Sequence, residues 1–472
     1  MRGKLRQVGL IALGACLGVL ISLNFSAVAQ REALGPLPVE ELRAFTEVFG
    51  RIKSDYVEPV ADKKLIAEAI SGMVSGLDPH SSYLDADSFR ELQVGTQGQF
   101  GGLGIEVGME DGFVKVVSPI DDSPAARANI KPGDLIVKLD DTSVKGMTIN
   151  DAVKRMRGKP NTQITLTIVR KGETKPIIVT LTRAVIKIQS VKSKLLEPGY
   201  GYFRVTQFQE QTGEMLAKAI DAMFKEGRGT MRGIVLDLRN DPGGLLNGAV
   251  AVSAAFLPQD ALVVYTEGRT EDAKMRLTAS PEHYLRGRFK NDYLSRLPAE
   301  VKEVPMVVLV NGGSASASEI VAGALQDHKR AVIMGTQTFG KGSVQTILPL
   351  GNNTALKLTT ARYYTPNGRS IQAKGIVPDI ALDDGTVGRT DTGLKMREAD
   401  LTKHLLNDRG NAAAERVAPP TANAFDFVPE ARPKDLDPKT NRPEPGEIVA
   451  KNDYEVSQAI VFLKTRAIAR AN

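Results

Sequence analysis

The chain has 472 residues, 42% of them hydrophobic and 25% charged, with a net charge of +6. That length exceeds what one ordinary core serves, so two or three domains are expected. The basic residues are dispersed and form no concentrated tract with interleaved aromatics, which argues against nucleic acid as a partner.

At the N-terminus, Arg2, Lys4 and Arg6 precede an apolar run from Val8 to Leu23, and Ala27 and Ala29 form a small-x-small site. This pattern predicts a signal peptide over 1–29, cleaved before Gln30, and a mature body in the periplasm. An uncleaved inner-membrane anchor is the alternative, since the run is near the lower limit for a spanning helix. The residues ending at Cys16 also resemble a lipoprotein box, although the apolar run continues past it. Cys16 is the only cysteine, so the mature protein has no internal disulfide.

Residues 30–97 read as a helical region. A first helix places Leu42, Phe45, Val48 and Phe49 on one face, and a second ends near Gly76. A turn-rich connection, GLDPHSSYLD, follows and carries His80, which reads as a surface or capping histidine.

Between 98 and 188 glycine turns alternate with short strands, joined by two helices and closed by a hairpin. The second helix, opening at Thr148, carries Ala152, Val153 and Met156 on one side. GLGIEV at Gly102–Val107, followed by SPAARANIKPGDLIVKLDD, resembles a PDZ domain. Backbone N–H groups in such a glycine turn hold a terminal carboxylate, and a free strand edge adds a peptide strand. The peptide-binding residues implied are Leu103, Gly104 and Ile105. A domain used only as a spacer is the other reading.

From 189 to 384, apolar strands (GYFRV, GIVLDL, ALVVY, PMVVLV, AVIMG and ALKLTTARYY) alternate with helices. Continuous apolar strands of this kind belong to a sheet covered on both faces. From Gly385 the composition turns to proline, alanine and charge, which predicts an extended linker. A last helix, with Val456, Ile460 and Leu463 on one face, is expected to dock on the body or on a partner subunit.

The segment from Asn311 to Gln345 holds the chemistry. PMVVLV ends at a glycine pair, and three serines, Ser314, Ser316 and Ser318, lead into a helix. Exposed backbone N–H groups collect at such a helix start. Ser316-x-x-Glu319 fits a capping box, so Ser316 reads either as an N-cap or as a nucleophile whose neighbouring N–H, from Ala317, supports an oxyanion. Of the four histidines, His328 lies at the far end of the same helix, and none has an obvious claim as the base. Lys341, between Gly340 and Gly342, is a surface lysine or, if burial keeps it neutral, a base. GTQTFGKG approaches a Walker A loop, but Gly342 stands where Ser or Thr is required and a strand follows, which argues against nucleotide binding.

GLDPHSSYLD, the PDZ-like region, DLRNDPGG at Asp237–Gly244, GSASASEIVAGALQD, TFGKGSVQ, LTTARYYTPNGRSIQ and GIVPDI occur in this order. Together, from about Leu42 to Asp384, they resemble the carboxyl-terminal processing proteases, a family of tail-specific serine peptidases. The resemblance implies an α/β chain: a crotonase-like ββα protease core with a PDZ domain and flanking helical segments. It implies Ser316 as nucleophile, Lys341 as base and Gln345 as the residue orienting the lysine. The oxyanion donors implied are the amides of Ala317 and of one glycine in NDPGG, with Gly243 chosen over Gly244. No metal or organic cofactor is implied. The partners implied are protein substrates with free C-termini, captured by the PDZ domain, an adaptor lipoprotein, and further copies of the chain. A catalytically silent PDZ scaffold and a Ser–His hydrolase using His328 are the competing readings.

Overall fold

The structure is a computed structural model that describes residues 37–120, 122–227, 231–286, 291–382, 396–409, 427–430, 447–450 and 452–471. The expected signal peptide and most of the expected proline-rich linker lie outside the described residues. The chain divides into two compact units, one up to Met73 and one from Val74 onward.

In the first unit, α1 (Val39–Asp55) carries Glu40 and Glu41 in its first turn and Lys53 in its last, complementing the helix dipole. Pro59, inside the break between α1 and α2 (Asp62–Ser75), is disfavoured in a continuous helix, and Lys53 pairs with Asp62 across that break at 2.8 Å. The apolar stripe read from the sequence is present but not buried: Leu42, Phe45 and Val48 are all exposed.

The second unit opens with the strand β1 (Ser82–Leu84) and helix α3 (Ala86–Gln97), capped by Asp85, whose side chain accepts from the Ser88 N–H. A small antiparallel sheet follows, in the order β2 (Ile105–Glu110), β3 (Phe113–Pro119), β4 (Leu135–Leu139), β5 (Gln163–Val169), β6 (Ile177–Thr182). Strand β5 alternates buried and outward residues, so Ile164, Leu166 and Ile168 enter the core. Helix α4 (Ile149–Met156) closes one side, started by a capping box between Thr148 and Asp151, with Ala152 and Met156 buried as expected. Strand β2 stands at the sheet's end and pairs with β3 alone in that sheet.

The larger body is built on a second sheet, ordered β7 (Val191–Glu197), β8 (Tyr200–Val205), β9 (Gly233–Asp237), β11 (Met306–Val310), β12 (Val332–Gly335), β15 (Ile380–Ala381), and parallel from β8 onward. Strand alternation divides its side chains between two cores. Phe203, Ile234, Leu236, Val308 and Ile333 pack with helices α5 (Thr212–Glu226), α6 (Leu246–Ala254) and α7 (Ala317–Asp327). Tyr202, Val235, Val307, Leu309 and Met334 pack on the other face with α8 (Tyr454–Ala471), whose Val456, Ile460 and Leu463 are buried. The last helix therefore docks on the body. Each fully buried aliphatic side chain contributes about 1.5–3 kcal/mol. Strands β10 (Leu262–Gly268), β13 (Ser343–Pro349), β14 (Ala355–Tyr364) and β1 belong to a third sheet, with β14 paired to all three of the others.

Part of the segment expected as a linker belongs to this body. Glu398 is fully buried, and the Asn407 side chain donates to the carbonyls of Gln372 (2.7 Å) and Ser370 (3.3 Å). Its polar composition concealed contacts that are polar themselves.

Candidate active site

β11 ends at Val310, and the chain turns through two glycines into α7. The three serines take different roles there. Ser314 and Ser318 are fully buried, and their hydroxyls donate to the carbonyls of Leu238 (2.8 Å) and Asp241 (2.9 Å). They tie the start of α7 to the loop after β9. Ser316 alone of the three is partly exposed. Its backbone has φ 56° and ψ −113°, a region a non-glycine residue occupies only when its surroundings enforce it, at a cost of about 1–3 kcal/mol. A strained serine at a strand-to-helix turn is the arrangement that presents a hydroxyl outward.

Glu319 holds this turn. It is fully buried, and its carboxylate accepts four hydrogen bonds. The N–H groups of Ser316 (2.8 Å) and Lys341 (2.9 Å) reach Oε2, while the Gly340 N–H (2.7 Å) and the Thr338 hydroxyl (2.5 Å) reach Oε1. Burial pushes this carboxyl up to about 7, against the four donors that favour the ionised form. The capping-box reading of Ser316-x-x-Glu319 thus caught the first contact and missed the other three, which come from a distant loop.

Lys341 is partly buried, and its Nζ donates to Gln345 Oε1 at 2.6 Å. Burial brings the ammonium down to about 8, assisted by the like charge of Lys357 and opposed by Glu398, Glu319 and Asp78. Of the two alternatives read from the sequence, the solvated surface lysine does not describe this partly buried side chain. Gln345 is aimed by a bulge: the pairing of β13 with β14 shifts register between Val344 and Gln345. Its amide donates to Ser343 Oγ (3.0 Å) and Thr359 Oγ1 (3.2 Å), which fixes its oxygen as the acceptor facing Lys341.

Behind Gln345 lies a layer the sequence did not reveal. Thr359 Oγ1 donates to Asp78 (3.1 Å), and Ser81 Oγ donates to the same carboxylate (2.7 Å). His80 is not a surface or capping residue: its Nε2 lies 2.8 Å from Glu398, which also accepts from Gln372 (2.9 Å). Gln372 in turn accepts the Gly342 N–H at 3.0 Å. The GLDPHSSYLD segment thereby braces the lysine turn. On the other side, the Tyr363 hydroxyl donates to the Lys341 carbonyl.

His328 caps the far end of α7, where its ring meets the Leu262 carbonyl at 2.7 Å. About eleven residues of helix separate it from Ser316, roughly 17 Å at 1.5 Å per residue. Among the described residues no group of His, Cys, Asp and Glu is arranged to hold a metal ion.

The two expected oxyanion amides differ. The Ala317 N–H has no acceptor among the described residues. Gly243, at φ +94°, packs against the serine turn: a Cβ there would come within 2.8 Å of Ser316 Cβ and 2.8 Å of Ala317 N. Its N–H, however, donates to Asp241 Oδ1 at 2.9 Å. Gly244 faces away, since a Cβ there would sit 2.1 Å from the Phe208 carbonyl oxygen.

In the smaller sheet, Leu103 is buried with its carbonyl accepting the Ala125 N–H, and Gly104 (φ +74°) accepts from the Ile120 N–H and Ser123 Oγ. The N–H groups of Leu103 and Gly104 have no acceptor among the described residues. Ile105 begins β2, whose outer edge is free in that sheet.

Comparison with known proteins agrees with this layout. The profile of peptidase family S41 matches residues 199–382, that of a PDZ domain residues 101–181, and that of the N-terminal domain of the activating protease CtpB residues 22–88. These matches define the class as a peptidase core joined to a PDZ domain. A carboxy-terminal-processing protease of Bartonella bacilliformis is 46% identical over 408 residues, 85% of this chain and 90% of that protein. The carboxy-terminal processing protease CtpA of Bacillus subtilis is 34% identical over 376 residues, 79% and 75% of the two chains. Among solved structures, the photosystem II D1 C-terminal processing protease is 32% identical, with a TM-score of 0.40 over 72% of this chain and 86% of that one. The chain belongs to peptidase family S41, as a carboxy-terminal processing protease of the serine type.

Proposed function

We propose that the protein is an endopeptidase that cleaves proteins at or near their C-termini through a Ser316–Lys341 dyad. One observation carries this reading: Lys341 is partly buried, lowered to about 8 and held by Gln345, while its backbone N–H shares an acceptor with that of Ser316. A neutral Lys341 Nζ takes the Ser316 hydroxyl proton as Oγ attacks the peptide carbonyl. The oxyanion forms beside the Ala317 amide, with the Gly243 loop as its second wall. The lysine then passes the proton to the leaving amine, and water releases the acyl group. Gln345 keeps Nζ aimed by accepting a hydrogen bond from it. The crotonase-like description of the core, the exported location, an adaptor lipoprotein and self-association belong to the same proposal.

The PDZ domain receives the substrate tail. The unclaimed amides of Leu103 and Gly104 suit a terminal carboxylate, and the free edge of β2, starting at Ile105, suits an added strand. Cleavage of casein by the full-length protein tests the reading, with Ser316→Ala and Lys341→Ala each expected to lose at least 100-fold. Unchanged activity in Lys341→Ala together with loss in His328→Ala would replace the dyad by a Ser–His pair. Absence of cleavage by the unmodified protein at every pH would leave a PDZ scaffold. Calorimetric titration of the Ser316→Ala protein with a peptide, as free acid and as C-terminal amide, tests tail capture, since only the acid is expected to bind.

A further inference from the structure

Asp241 sits where the loop after β9 meets the serine turn, and nothing in the dyad accounts for its side chain. It is fully buried. Its carbonyl accepts the Ala315 N–H (3.0 Å) and the Ser318 hydroxyl (2.9 Å), so its main chain is fixed to the start of α7. Its Oδ1 accepts the Gly243 N–H two residues on, closing an Asx turn. Its Oδ2 has no hydrogen-bond partner. A buried carboxylate oxygen without a partner is rare, because the missing hydrogen bond and the desolvated charge both cost free energy. The charged groups acting on Asp241 are Arg204 on β8 and Asp237 at the end of β9, which oppose each other.

We propose that Asp241 is a positioning residue of the oxyanion site, acting in its neutral form through the Gly243 amide. The inference rests on the dyad reading above. Gly243 touches the Ser316 turn, so its amide serves the developing oxyanion only if Asp241 competes weakly for it. A carboxylate competes strongly and also sets a negative charge beside the oxygen that must become negative. The acid form removes that charge, while its carbonyl oxygen still keeps the turn in shape. An apolar site that holds a carboxylic acid neutral near pH 7 is a known way to achieve this. Burial does push Asp241 up to about 7, outweighing the hydrogen bond its carboxyl accepts from the Gly243 N–H.

Activity then requires a proton on Asp241 and none on Lys341. The wild-type rate rises with pH as Lys341 is deprotonated and falls again as Asp241 ionises, giving a narrow maximum between the two. Asp241→Asn keeps an oxygen for the Gly243 N–H and cannot ionise. The expected result is a kcat within about threefold of wild type at the optimum, a plateau on the alkaline side, and at least a tenfold gain over wild type at pH 9.5. Asp241→Ala loses the turn and is expected to lose at least tenfold in kcat with KM little changed, as for a group acting only in the transition state. An Asn profile that overlays the wild type, or an Ala variant with wild-type kcat, overturns the proposal. So does a wild-type rate that stays level to pH 10, which needs no variant to fold. Ser316→Ala assayed alongside separates the two readings: cleavage by that variant sinks the dyad, whereas its inactivity with an unchanged Asn profile sinks only the role of Asp241.

Discussion

Ser316 and Lys341 donate their backbone N–H groups to one oxygen, Oε2 of Glu319, at 2.8 and 2.9 Å. One buried carboxylate therefore sets the spacing of two segments that lie on separate elements. The first prediction concerns that carboxylate. Glu319→Ala leaves four donors facing a cavity, each costing about 1–3 kcal/mol when unsatisfied. Activity is expected to fall at least 100-fold and the thermal midpoint by several degrees. Glu319→Gln, which turns an NH2 group toward donors, is expected to recover little of either. Wild-type kcat in Glu319→Gln would show that an oxygen at one position suffices.

The second prediction concerns pH. Because Lys341 titrates near 8 and must be neutral, kcat/KM is expected to climb tenfold per pH unit well below 8. Lys357→Met removes the like charge, lets Lys341 hold its proton to higher pH, and is expected to lower activity at pH 7 about two- to threefold. The folded protein carries the cost of the buried ammonium below pH 8 and is relieved of it as pH rises from about 8 to about 10, where the unfolded lysine still binds its proton. Wild type should therefore gain stability across that window relative to Lys341→Met. A pH–stability curve for the pair checks this.

Gln345 supplies the third prediction. Gln345→Leu removes the acceptor of the lysine N–H and is expected to lower kcat about 10- to 100-fold with a smaller change in KM. Gln345→Glu places an anion 2.6 Å from Nζ in the present geometry and raises the lysine pKa. Its activity should appear only at more alkaline pH than in wild type. A profile identical to wild type would mean that Gln345 does not face the reacting amine.

The fourth prediction concerns the far side of the sheet. Arg239 pairs with Asp237 (2.7 Å), Asp453 (2.8 Å) and Glu455, tying α8 to the strand that leads into the NDPGG loop. Burial alone would raise Asp237, but the charge of Arg239 leads the effects that bring it down to about 2. Its stabilisation is present above pH 4 and is lost as pH falls through 2, amounting to about 2–3 kcal/mol. Arg239→Met leaves Asp237 buried without its main partner and is expected to cost about 3–5 kcal/mol. Denaturant unfolding of wild type and Arg239→Met at pH 7 measures the second, and a wild-type series from pH 5 down to pH 1.5 follows the first.

Much of this was written locally. The alternation of apolar strands with helices, the capping box of α4 and the glycine turn before β2 are short-range patterns, because periodicity and turn chemistry act over a few residues. Ser316, Lys341 and Gln345 were legible only as candidates, since a serine before a helix and a lysine between glycines each have a commoner explanation. The tertiary structure decided the rest. Burial made Lys341 lose its surface character, and no local pattern reports burial. Glu319 gathered donors from four residues across more than twenty positions of chain. His80 and Asp78 met the Lys341 turn through β1 and β14, which pair across more than 270 positions. Asp241 became an unpartnered acid only because α7 and the β9 loop enclose it. Hydrogen bonds and desolvation depend on distance in space, and the fold alone sets that distance between residues far apart in the chain.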